Sequence, residues 1–162
     1  MPRPRHIPVL LLLLLAPLLV LADTLSGQVT KVVDGDTLSS VDAAHTRYKI
    51  RLAGIDAPER KQPFGTKAKA YLLDLVGGKH VKIAWRKRDR YQRILGKVLA
   101  DETDINLAMV RAGLAWWYRR YAGEQTPEDR LLYEAAEDQA RSEKVGLWRD
   151  PNPVPPWAWR KR

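Results

Sequence analysis

The 162-residue chain has no cysteine, one phenylalanine and three histidines. Without thiols there is no disulfide framework, no thiolate nucleophile, no cysteine-ligated zinc and no iron–sulfur cluster. Any metal must then be held by oxygen or imidazole, and His6, His45 and His80 are too scattered for a multi-histidine centre. Acidic charge is also short: 19 Asp+Glu face 28 Lys+Arg, a formal net charge of +9. A basic excess suits a polyanionic partner. Hydrophobic residues are 45% and charged residues 29% of the chain, which permits a packed core at a length that fits one domain.

Residues 1–22 read as a cleaved secretory signal: Arg3 and Arg5, an apolar run, then Val20-Leu21-Ala22 at the cleavage position. The run from Ile7 to Ala22 is shorter than the ~20 residues a spanning helix needs, and Pro8 and Pro17 interrupt it. Export to the periplasm or the medium is therefore expected, with membrane contact only through this leader. Cleavage removes Arg3 and Arg5 and no acid, so the basic character stays with the folded part.

A domain is expected over residues 23–150. Leu25–Val33, Thr37–Val41 and Thr46–Ala53 are strand-like and separated by turn-forming Asp34-Gly35-Asp36 and Asp42-Ala43-Ala44-His45. In the third run Tyr48, Ile50 and Leu52 alternate with Arg47, Lys49 and Arg51, one face for packing and one for charge. Phe64–Val76 reads as a helix stopped at Gly77-Gly78, and His80–Arg86 and Arg93–Ala100 as two further strands. Thr103-Asp104 can cap a helix through Ala112, and Thr126-Pro127 starts another that stops near Gly146. Five strands and three helices predict an α+β fold, mainly a small β-barrel with the helices packed on it. Residues 151–162, rich in Pro and Trp and basic at the end, read as an extended tail.

Three acids stand out. Asp36 follows a glycine turn, and Asp56 and Glu59 fall in Gly54-Ile55-Asp56-Ala57-Pro58-Glu59. If the second and third strands pair, Asp36 and Asp56 converge as a site for a hard cation such as Ca²⁺ or Mg²⁺; an Asp-Gly-Asp stretch also suits a plain turn. Arg51 and Arg93 sit where paired guanidinium groups can neutralise a phosphodiester, each also explicable as part of a solvated basic face. Glu59 can take a proton from an attacking water, or simply pair with Arg60 at the surface.

In order, Val33-Asp34-Gly35-Asp36-Thr37, Ile50–Glu59, Asp89-Arg90-Tyr91-Gln92-Arg93, Asn106–Ala115 and Gly146-Leu147-Trp148 resemble the motifs of the staphylococcal nuclease (thermonuclease) family. The resemblance implies a five-stranded OB-fold barrel and Ca²⁺-dependent endonucleolytic hydrolysis of DNA and RNA leaving 3′-phosphates. It further implies Asp36, Asp56 and the Ala57 carbonyl as metal ligands, Asp34 as a nearby outer acid, and Glu59 as the proposed general base. Arg51 and Arg93 match the phosphate-binding arginines, and Tyr91 a tyrosine at the terminal phosphate. Ala57 stands where the founding enzyme has threonine, and the loop after Glu59 is trimmed. Tyr121 matches one tyrosine of the base pocket while Arg119 replaces the other. Arg90 joins Tyr91, Tyr121 and Arg119 as an expected substrate contact. The ending Pro155-Pro156-Trp157-Ala158-Trp159-Arg160 resembles a tail of secreted bacterial members.

Single-stranded DNA and RNA are thus the expected partners, bound by a monomer with no stable protein partner. Trp116, Trp117, Tyr118 and Tyr121 interleave with Arg119 and Arg120 as stacking platforms among cations, although at least one of the two tryptophans is expected inward. For Trp157 and Trp159 docking back onto the barrel comes before polyanion binding aided by Arg160, Lys161 and Arg162. The alternative function is a non-catalytic OB-fold binder of single strands. The joint presence of Asp36, Asp56, Glu59, Arg51 and Arg93 argues against it, because bare carboxylates repel a phosphate backbone.

Overall fold

The computed structural model describes residues 23–162, so the expected leader lies outside the described residues. The chain forms β1 (Asp23–Asp34), β2 (Thr37–Val41), β3 (Arg47–Leu52), the short β4 (Ile55–Asp56), helix α1 (Gly65–Val76), β5 (His80–Arg88) and β6 (Ile94–Ala100). A two-residue β7 (Thr103–Asp104) leads into α2 (Ile105–Arg111). The short β8 (Trp116–Trp117), α3 (Pro127–Ser142) and the one-turn α4 (Pro156–Trp159) follow.

The strand order β3-β2-β1-β5-β6 closes on itself through parallel pairing of β3 with β6, Ile50 opposite Ile94 and Leu52 opposite Gly96. The result is the expected OB-type barrel of five strands with helices against it. β1 serves two neighbours: Asp23–Gln28 pairs with β5 and Gln28–Asp34 with β2. Register shifts between Val29 and Lys31 and between Val32 and Asp34 bend it enough to turn that corner. Along β3 the alternation seen in the sequence holds, with Ile50 and Leu52 buried and Arg47 and Lys49 exposed. Leu38, Ile83, Ile94 and Val98 join them inside the barrel, and α1 adds Ala68, Leu72 and Val76 from one face.

Helices α2 and α3 start on side-chain caps. Asp104 accepts from the Leu107 N–H at 2.9 Å, and the Thr126 hydroxyl from the Asp129 N–H at 3.1 Å. Asn106 is fully buried and ties α2 to the barrel: its Oδ1 accepts from Val98 N at 3.0 Å, and its Nδ2 donates to Ala53 O at 2.9 Å and Gly96 O at 3.1 Å.

Two features differ from the sequence reading. The two-residue strands β4, β7 and β8 have no alternation long enough to announce them, and β4 pairs with β8 from far along the chain. The C-terminal segment is not extended throughout. Residues 156–159 turn as α4, and the segment docks back as expected of Trp157, which meets Trp116 edge-on at 5.6 Å and stacks on Tyr118 at 4.8 Å with the planes 5° apart. Trp116 and Trp117 are both buried, and Trp148 packs against Trp116 with centroids 4.4 Å apart.

Candidate active site

The turn between β1 and β2 is built around Asp34, whose Oδ1 accepts from the Asp36 N–H at 3.1 Å. Gly35 is required there by crowding: a Cβ would lie 2.7 Å from the methyl groups of Ala57 and Ala68. That turn delivers Asp36 to the head of β2, where Thr37 stands opposite Arg51 of β3. A second turn at Gly54, with φ of 73°, carries the chain from β3 into β4. β4 is fixed by pairing Asp56 with Trp116 and Ile55 with Trp117. Two segments are thus folded onto one rim of the barrel, as strand pairing predicted.

Arg51 is the centre of the arrangement. Its Nη2 lies 2.9 Å from Asp56 Oδ1 and 3.2 Å from Asp36 Oδ2, while Nη1 donates to the Leu52 and Ile55 carbonyls at 2.8 and 2.9 Å. Asp36 Oδ2 also accepts from Ala57 N at 2.7 Å. Burial outweighs the Arg51 guanidinium and, together with the Asp34 and Asp56 carboxylates, pushes the Asp36 carboxyl up to about 7. Asp36 and Asp56 bring carboxylate oxygens together on either side of the Arg51 guanidinium, the ligand type a small hard cation takes. Among the described residues no three His, Cys, Asp or Glu side chains close around one point, so main-chain oxygen and water must complete such a site.

Arg93 is held from the turn between β5 and β6. Its main-chain N–H and Nε donate to Asp89 Oδ1 and Oδ2 at 3.0 and 2.7 Å. Partial burial opposes ionisation of Asp89, but the bonds from Arg93 and from Tyr91 N prevail and hold its carboxyl below the ordinary range. The Tyr91 ring is 63% exposed, with the Arg90 and Arg93 guanidinium groups 4.8 and 5.5 Å from its centre. Glu59 is less buried than the two aspartates, and its N–H donates to Gln62 Oε1 at 3.0 Å.

These groups surround one cleft of about 720 Å³. Asp34, Asp36, Arg51, Asp56, Ala57 and Glu59 line it, as do Arg90, Tyr91, Arg93 and Tyr121. Arg119 does not. Its guanidinium stacks 4.4 Å over Trp117 and pairs with the buried Glu137, so the expected base contact is spent on packing; Arg120 lines the cleft instead.

A family model described as a staphylococcal nuclease homologue matches residues 49–150. The chain belongs to the staphylococcal nuclease family. Within that family it is 42% identical, over 98% of both chains, to a protein of Escherichia coli described as an uncharacterized endonuclease. It is 41% identical to a micrococcal nuclease of Shigella flexneri, over 83% of this chain and 80% of the relative. A staphylococcal-like nuclease of Arabidopsis thaliana, CAN1, is 39% identical over 71% of this chain and 34% of its own.

Of four further residues at this nuclease-family cleft, Lys87 and Glu124 carry no local signal, while Tyr118 belongs to the aromatic cluster and Arg160 to the basic tail of the sequence. Tyr118, Lys87 and Glu124 line it beside Tyr121, and Arg160 reaches it from the C-terminal segment. Arg160 Nη2 lies 2.7 Å from Asp56 Oδ2, and Nη1 lies 2.6 Å from Glu59 Oε1 and 3.3 Å from Asp56 Oδ1. The available sign was the pair Trp157 and Trp159 after two prolines, which announces a docked segment; an arginine next to it is placed wherever the docking ends.

Proposed function

We propose that this protein is a Ca²⁺-dependent endonuclease acting on single-stranded DNA and RNA, exported by its leader and active as a monomer. The observation that carries this reading is the meeting of Asp36, Asp56, Glu59, Arg51 and Arg93 in one cleft. A cation there would be held by the carboxylates of Asp36 and Asp56 with the Ala57 carbonyl. When bound, it polarises the phosphoryl group and draws the substrate to the two acids.

The chain's own groups account for the rest. Arg93, bound to Asp89 through Nε, offers its Nη pair to the phosphate oxygens, and Arg51 adds a fixed positive charge beside them; both remain protonated as negative charge accumulates on five-coordinate phosphorus. Arg51 is preorganised by two carbonyls and two carboxylates, and Arg93 by Asp89. Glu59 takes the proton of a water whose oxygen bonds to phosphorus. The bond from phosphorus to the 5′ oxygen breaks, that oxygen is protonated from solvent, and a 3′-phosphate and a 5′-hydroxyl remain. The exposed ring of Tyr121 offers a face for a neighbouring base, and Tyr91, beside Arg90 and Arg93, lies where its hydroxyl can meet the terminal phosphate. Asp34 acts through the Asp36 turn.

Digestion of circular single-stranded DNA and RNA tests this reading. Purified protein should open and degrade both circles with Ca²⁺ and stop when a chelator is added. Undiminished cleavage in chelator would refute the cation assignment, and an intact circle with Ca²⁺ would leave a binder rather than an enzyme.

A further inference from the structure

The C-terminal segment is pinned over the site from two sides. Trp157 lies between Trp116 and Tyr118, and the Val154 carbonyl accepts from Gln62 Nε2 at 2.6 Å. Gln62 is the same residue whose Oε1 holds the Glu59 N–H, so the tail and the Glu59 loop share one amide. From that mounting Arg160 spans Asp56 and Glu59 with three contacts of 2.6 to 3.3 Å, while its own side chain stays 44% exposed.

This seat is in conflict with a cation. Arg160 covers Asp56 Oδ2, and Oδ1 is shared between Arg160 and Arg51. A divalent ion bound to Asp56 would sit beside the Arg160 guanidinium on the same buried carboxylate, and the repulsion between the two cations displaces the fork. Displaced, the guanidinium remains on its tether at the mouth of a cleft that already presents Arg51 and Arg93 to an anion. A phosphate there offers it the planar pair of oxygens that Asp56 withdrew. The exchange also frees Glu59 from its ion pair, at the moment its lone pair is needed for water.

We propose that Arg160 is a third phosphate-binding arginine of the cleft, lodged on Asp56 and Glu59 until a divalent cation takes its place there and the nucleic-acid phosphate receives it. This assignment rests on the reading of the cleft as a cation-dependent phosphodiester site.

Two measurements on the exported form separate the possibilities. Ca²⁺ binding by titration calorimetry without substrate should tighten about threefold to tenfold in Arg160→Ala, because a competitor is gone. KM for single-stranded DNA at saturating Ca²⁺ should rise about tenfold, the scale of one charge-assisted contact. Arg160→Lys should recover only part of the KM, lacking the fork. Trp157→Ala, which unpins the tail but keeps Arg160, should shift both quantities the same way.

Unchanged Ca²⁺ affinity in Arg160→Ala would overturn the competition. Faster turnover without a rise in KM would make the tail a plug and overturn the phosphate contact. If Arg51→Ala is inactive while Arg160→Ala matches the parent on both counts, the function stands and only the tail's role falls. A parent chain that neither binds Ca²⁺ nor cleaves overturns both.

Discussion

Replacing Arg51 by alanine removes the one cation shared by Asp36 and Asp56, in a side chain only 13% exposed. Breaking a buried ion pair from one side costs about 3–5 kcal/mol, because the remaining charge loses its partner without regaining water. Here the lower end applies, for two reasons visible in the structure. Asp56 keeps Arg160 at 2.7 Å, and Asp36 already takes a proton far more readily than an ordinary carboxyl. A loss of about 3 kcal/mol in a domain of this size lowers Tm by roughly 10 °C. The sign with pH follows from Asp36. Its folded-state affinity for a proton is raised, so the stability linked to that proton is present at low pH and disappears as pH rises toward 7. Arg51 is the main influence holding Asp36 down, so its removal extends that window upward, and Arg51→Ala should lose less stability at pH 6 than at pH 8. Turnover should fall about 10²–10³-fold, the cost of one preorganised donor to the transition state. Thermal unfolding in chelator at both pH values, with kcat and KM at saturating Ca²⁺, measures all of this. A Tm within 3 °C of the parent at pH 8, with turnover reduced less than tenfold, would show that Arg51 lies on a passive basic face.

Arg93→Ala should reduce kcat by a similar factor with little effect on Tm, whereas Asp89→Asn, which loosens Arg93 without removing it, should cost about tenfold or less. The Asp89 carboxyl is depressed, so the pair it makes with Arg93 persists from neutrality through pH 5 and is lost only in stronger acid. A larger loss in Asp89→Asn than in Arg93→Ala would contradict the assigned roles. For Asn106→Ala, stranding the Val98 N–H and the Ala53 carbonyl in the interior, while the Gly96 carbonyl keeps the Ala53 N–H, should cost about 2–3 kcal/mol, read as a lower urea midpoint with unchanged slope. A midpoint equal to the parent's would mean that water replaces the amide.

Much of this molecule is legible residue by residue. The alternation of Ile50 and Leu52 with Lys49 and Arg51 decides which face of β3 enters the core, because side chains on a strand alternate whatever its partner is. Asp104 and Thr126 start helices because a short oxygen-bearing side chain satisfies N–H groups that the first turn leaves free. The ordered motifs around Asp36, Asp56 and Arg93 indicate the family before any coordinates, since each asks for particular residue types at a local turn.

What the tertiary structure alone decides are contacts between segments that no local period connects. β4 is a strand only because β8 lies beside it, and no rule of sequence relates Asp56 to Trp116. Arg119 looks like a ligand for nucleic acid in its aromatic and basic surroundings, yet the buried Glu137 claims it. Arg160 looks like one cation of a basic terminus, yet the stacking of Trp157 on Tyr118 carries it to Asp56 and Glu59. A charge's role depends on which opposite charge it meets after folding, and that meeting is set by packing far from the residue itself.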